Sequence, residues 1–283
     1  AEGDRSIRCG GGSAMASTVT RIEATPARRA AGSSSMASKA RIPIYQTLLI
    51  AGILIVWEVL VRTGVAPVYL YGQPSGILQK LIALTASGEL FTHAGATAFE
   101  AILGFVVGTT LGSVTGLALW LSETVARILR PIIVAINGVP KIALAPLVVV
   151  WFGVDIGAKV AIAASLTFIV ALISVYQGTQ EVDPDLVKLM RSLGARRLTI
   201  WRKVIVPGAS PWILATMRLN IGFAMIGAVV GEYISAKVGL GYFIYNAGAL
   251  YDLNSVFVGI FCLMVMALVL DFLLVKVEAR FKW

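Results

Sequence analysis

The sequence predicts an all-α membrane protein with six transmembrane helices and both termini on the cytoplasmic side. Three observations carry that prediction. Of the 283 residues, 58% are hydrophobic, with a mean hydropathy of +0.85, against about 45–50% apolar in a soluble domain. Only 14% are charged, well below the usual quarter or so. The apolar residues are gathered into long runs separated by basic connections, as expected of helices that must satisfy their own backbone groups in lipid.

Residues 1–42 are rich in Ser, Ala, Gly and Arg and poor in large apolar side chains, so they are expected to form a disordered tail. Within it, Gly10-Gly11-Gly12-Ser13-Ala14 ahead of Met15 resembles an added linker, which would make roughly the first 14 residues foreign. Cys9 and Cys262, the two cysteines, fall in that tail and in an apolar run, so no disulfide is expected. The membrane domain is then 43–283. Its expected spans are 44–61, 95–119, 131–152, 158–176, 212–234 and 256–277. The first has no small-x-small cleavage site behind it and is not read as a signal peptide. Between the first two spans, Gln73-Pro74-Ser75 introduces an amphipathic helix to about Ser87, with Ser75 as its expected cap.

The net charge of +9 is an orientation signal rather than a nucleic-acid footprint, because the bases lie between apolar runs and not in a solvated stripe. With the N-terminus inside, nineteen Lys and Arg fall on the cytoplasmic side and four outside (Arg62, Lys80, Lys159, Lys237), Lys141 lying within a span.

The second span carries Gly104, Gly108, Gly112 and Gly116 on one helix face, which predicts close approach of another helix or a groove beside a path. The third contains Pro131, Pro140 and Pro146 and should be kinked or unwound. Irregular backbone at that depth must face protein or a watery cavity. Lys141 beside the break, with Asn137 and Pro140, is therefore a candidate for a translocation path; the alternative is a lysine that snorkels to the interface. Asn220 is a path contact or interhelical glue. Glu58, Glu232 and Asp271 lie near span ends, where they could reach headgroups or pair with loop bases, and Glu232 joins the path candidates. His93, the single histidine, reads as a solvated residue at the outer interface.

Residues 178–210 form the longest polar segment after the tail, and it is patterned. Asp183 is a cap and Pro184 opens a helix. Leu186, Leu189, Met190 and Leu193 recur on one apolar face, and Gly194 ends the helix. A second short helix carries Leu198, Trp201 and Ile205 up to Pro207-Gly208, and Ser210-Pro211 is expected to cap the fifth span. This is a cytoplasmic elbow whose apolar face needs a partner protein or the headgroup layer.

Gly194, nine residues, then Val204-x-Val206-Pro207 resembles the second half of the cytoplasmic loop motif E-A-A-x3-G-x9-I-x-L-P of ABC importer permeases. Val139-Pro140-Lys141-Ile142-Ala143-Leu144-Ala145-Pro146-Leu147, Trp151-Phe152-Gly153, Arg191-Ser192-Leu193-Gly194-Ala195, Glu232-Tyr233 and Gly239-Leu240-Gly241-Tyr242 are similar to the nitrate/sulfonate/taurine branch of those permeases. The E-A-A positions are Lys188, Leu189 and Met190, a departure that bears on docking. The resemblance implies a type I ABC importer permease fold, a homodimer in the bacterial inner membrane, two separate ABC ATPase subunits and a soluble substrate-binding protein. It also implies that Asp183, Leu186, Leu189, Met190, Arg191, Ser192, Leu193, Gly194 and Ala195 couple to the ATPase. The cargo would be a small anion such as a sulfonate, taurine or nitrate, or else a pyrimidine precursor or aromatic acid.

No lysine in the chain is followed by Ser or Thr, so a G-x-x-x-x-G-K-[ST] phosphate loop is excluded. No catalytic residue, metal site or cofactor is expected on this chain, ATP and Mg belonging to the partner. An ion-driven secondary transporter is the rival class, but the triple-proline span has no counterpart in the second half to make a repeat.

Overall fold

The computed structural model describes residues 34–281, with side-chain surroundings for 44–280. Among the described residues there are helices and turns and no strands. The contact pattern divides the chain after Gly52. In the first unit the described part is the start of α1 (Ser34–Arg62). That helix begins ahead of the expected boundary at 42, because Ala, Met and Lys tolerate helix where no apolar core requires it. The rest of the expected tail lies outside the described residues.

The second unit runs from Ile53 to the end. At the close of α1, Glu58 accepts from Arg62 Nε (2.6 Å), Gln73 Nε2 (2.9 Å) and Ser75 Oγ (2.8 Å). Of the two readings of Glu58, pairing with a loop base is the one seen, at Arg62. One expectation is corrected: Ser75 does not cap α2 (Pro74–Ala86), where Pro74 takes the first turn and Gln73 the cap position. Ser75 lies inside the first turn, two residues past the cap position.

The core is three helices packed on one another: α3 (Glu89–Leu119), α6 (Ile156–Gln180) and α9 (Ser210–Ser235). Gly104, Gly108, Gly112 and Gly116 seat α3 against the backbone of α6 at Ala163, Ala164, Phe168 and Leu172. The ladder is therefore a helix crossing and not a groove. In the third span, α4 (Glu123–Gly138) is capped by Ser122, whose Oγ accepts from Val125 N at 3.4 Å. Pro131 is accommodated inside α4. The chain breaks at Val139-Pro140, turns tightly through Lys141–Leu144 and continues as α5 (Ala145–Phe152), the two parts bent by 84°. Among the described residues five helices are long and apolar enough to cross a membrane, and six spans result if the bent pair counts as one.

The chain then forms the elbow helices α7 (Pro184–Ser192) and α8 (Arg197–Ile200), followed after α9 by α10 (Leu240–Ala249) and α11 (Leu253–Phe281). Between α10 and α11, Asp252 bonds Lys80 of α2 at 3.0 Å and accepts from Ser255. Burial alone would raise the Asp252 carboxyl, but the Lys80 ammonium and the two Ser255 donors outweigh it and hold it below the usual carboxylate range. A depressed carboxyl stabilises the fold above its unfolded value, about 3.9 for Asp, and that contribution fades as pH falls through the folded value. Comparing melting temperatures of wild type and Asp252→Asn is expected to give a constant difference from pH 7 to about 5, shrinking below about pH 4. A difference independent of pH down to acid unfolding would remove the ion pair from the account.

Candidate functional site

The elbow is built from local signals. Asp183 Oδ1 accepts from Asp185 N at 2.8 Å, and Pro184 occupies the first turn of α7. Gly194 ends the helix at φ +76°, where a side chain would be strained, and Ala195 N and Gly194 N close back on Met190 O and Arg191 O. After α8 the chain widens into a π-type turn at Trp201–Ile205 and a last turn at Val206–Gly208. Ser210 is not a cap: its hydroxyl donates to Pro207 O at 2.7 Å. Trp201 Nε1 donates to Leu117 O (2.8 Å) and Arg197 Nη2 to Trp120 O (2.9 Å). The elbow is thereby fixed to the end of α3.

The apolar face is displayed outward. Leu186, Leu189 and Leu193 are exposed, Leu193 by 73%, while Met190 and Ala195 are half-buried and do not join them. Ser192 spends its hydroxyl on Leu189 O. Lys188 and Arg191 lie on the opposite face of α7, lining a cleft behind the elbow.

The path candidates separate into two groups. Asn137 and Pro140 are exposed at the break in the third span, and half-buried Lys141 places Nζ 3.3 Å from Asn137 Oδ1. Asn220 and Glu232 are 0% and 1% exposed, inside the helix bundle. Asn220 Nδ2 donates to Thr109 Oγ1 (2.9 Å) and Thr167 O (3.0 Å), tying α9 to α3 and α6. Glu232 accepts from Thr97 Oγ1 (2.6 Å) and Gly241 N (2.5 Å), tying α9 to α3 and to the start of α10. Asn220 thus makes the interhelical bonds that are one of its two readings, and Glu232 is spent on protein donors and does not reach a headgroup.

The same region holds an ion pair that the sequence concealed. Lys159 Nζ lies 2.8 Å from Glu100 Oε1, both side chains at most 8% exposed. Lys159 at the head of a span reads as an outer-surface base, and its partner is 59 residues away, so no local spacing announces the pair. His93 is likewise not solvated; its Nδ1 accepts from Gly239 N at 3.0 Å.

Helical spans around a three-helix core, one span broken at a lysine, and an elbow presenting leucines define an integral membrane transport subunit. Residues 108–283 match the sequence profile of the binding-protein-dependent transport system inner membrane component family, and the chain belongs to that family, the permeases of ABC importers. The formylaminopyrimidine transport permease protein ThiX of Halalkalibacterium halodurans is 34% identical over 230 residues, covering 81% of this chain and 91% of that protein. The putative aliphatic sulfonates transport permease protein SsuC of Escherichia coli is 33% identical over 209 residues, covering 74% and 80%. An inward-facing structure of the MetNI methionine ABC transporter shares the fold, with a TM-score of 0.62 at 17% identity over 70% of this chain and 99% of that one.

Proposed function

We propose that this chain forms the translocation path of an ATP-driven importer, pairing with a second copy of itself and coupling through α7 to two separate ABC ATPase subunits. The observation that carries the reading is the outward face of Leu186, Leu189 and Leu193 on a short helix fixed to the spans. An apolar helix face held at the membrane surface is a docking element. ATP and Mg are bound by those partners, and a soluble binding protein delivers the cargo on the outer side. The excess of inner bases supports cytoplasmic termini, and the burial of Lys159 removes one of the four outer ones. Closure of the ATPases would draw the elbows together and rock the bent third span, whose Asn137, Pro140 and Lys141 face the path.

The cargo we favour is a small anion, on the strength of Lys141 at the break and the SsuC relatives. A pyrimidine precursor is the second reading, favoured by the ThiX relative; ligand binding by the cognate binding protein decides between them. For the coupling itself, Leu189→Glu/Leu193→Glu is expected to abolish co-purification of the ATPase and uptake while the chain still inserts and elutes normally. Retention of the ATPase by that variant would sink the docking assignment.

A further inference from the structure

The docking reading uses one face of α7 and leaves the other unexplained. A cleft of about 480 Å³ lies behind the elbow, lined by the cytoplasmic ends of α3 and α6, the first turns of α4, and the Val187–Lys188–Arg191 side of α7. Five bases line it, Arg127, Arg130, Lys188, Arg191 and Arg197, against a single acid, Glu123. Three of the five are engaged. Arg127 pairs with Glu123 and Lys188 with Asp185, and Arg197 is bonded to Trp120 O and lies 5.4 Å over the Trp120 ring. Arg130 and Arg191 have no ion pair among the described residues.

We infer that this cleft binds the phosphate of an anionic lipid headgroup from the cytoplasmic leaflet, and that the bound lipid braces α7 from behind without touching its leucine face. The volume suits a headgroup rather than a lone ion. Two guanidiniums without an acidic partner offer forks that match phosphate oxygens. The depth is right as well: two candidate spans, Glu89–Leu119 and Ile156–Gln180, end at the cleft. Anionic headgroups concentrate at that surface and attract clustered bases. The inference rests on the cytoplasmic placement of the elbow proposed above.

Native mass spectrometry of the full chain in mild detergent tests it, titrating phosphatidylglycerol and phosphatidylcholine of identical acyl chains, and inorganic phosphate separately. Phosphatidylglycerol should bind preferentially, and Arg130→Gln/Arg191→Gln should weaken it about tenfold, while Arg202→Gln/Lys203→Gln, outside the cleft, leaves it unchanged. Saturable phosphate binding lost in the cleft variant, with no preference between the lipids, would overturn the lipid in favour of a soluble phosphate. Equal binding of every probe to wild type and cleft variant would overturn the site. No ATPase is present in this experiment, so its failure is separable from failure of the docking reading.

Discussion

Replacing Lys159 with methionine is expected to cost about 3–5 kcal/mol of stability, the range for removing one partner of a buried ion pair. Methionine fills most of the volume of the lysine stem, so the loss is electrostatic rather than steric. Glu100 is 2% exposed, and Lys159 Nζ is the protein donor on its Oε1, with Oε2 already lacking a partner. Without the ammonium, a carboxyl deep among α3, α6 and α9 is left beside the Glu232 carboxyl, an acid and not a counterion. Gly231 of α9 packs directly on the Lys159 stem, so the damage spreads to the third core helix. The double variant Lys159→Met/Glu100→Leu should recover most of the loss, because an apolar pair of similar volume often equals a buried salt bridge. Melting of the purified chain in detergent reads both variants, with elution volume reporting the folded fraction. A Lys159→Met protein that melts with wild type, or a double variant worse than either single one, would show that the pair does not hold the core.

What the sequence made legible follows from the range of each interaction. The spans, the break at Pro140, the Asp183 cap and the Gly194 stop are local: each is decided within a few residues by hydropathy, a missing donor or backbone freedom. The glycine ladder could be read because its signal repeats on one face, although its partner could not be named. The failures but one share a cause. Ser75, His93, Glu232 and Lys159 are short-range puzzles with more than one solution, and each is settled by a partner that local spacing does not single out, such as Glu58 for Ser75 and Gly239 for His93; the exception, Ser210, spends its hydroxyl locally on Pro207 O. Composition sends a polar residue near a span end to water or headgroups; a tertiary partner in a low-dielectric interior is a better offer when one exists. The apolar face of the elbow was legible for the opposite reason. Its leucines are exposed within the chain, so the pattern and the structure agree.

The second large effect is expected at Gly108, where leucine should abolish both the folded protein and uptake. A Cβ there would strike Thr167 Oγ1 and the Ala164 peptide of α6, and a backbone group cannot swing aside as a side chain can. Even alanine should cost about 1–3 kcal/mol by overpacking, and leucine must part the helices altogether. In lipid no hydrophobic force draws them back, since tails solvate the separated faces as well as leucine does, and close backbone contact is what held them. The consequence reaches beyond α3 and α6. Thr167 Oγ1 donates to Gly104 O (3.2 Å), and Asn220 of α9 bonds Thr109 and Thr167 O; separating α3 from α6 breaks this network. The elbow hangs from the end of α3 through Trp201 and Arg197, while α6 leads directly into α7. A shifted α3 therefore pulls the elbow's two anchors apart, and the leucine face loses its fixed position even in molecules that insert. Gly222 in α9, where an added Cβ would meet nothing within 4 Å, provides the contrast: Gly222→Leu should fold and transport near wild-type levels. Measuring expression of monodisperse protein and uptake for both variants separates the cases, and a functional Gly108→Leu protein would mean that α3 and α6 do not pack through their glycine face.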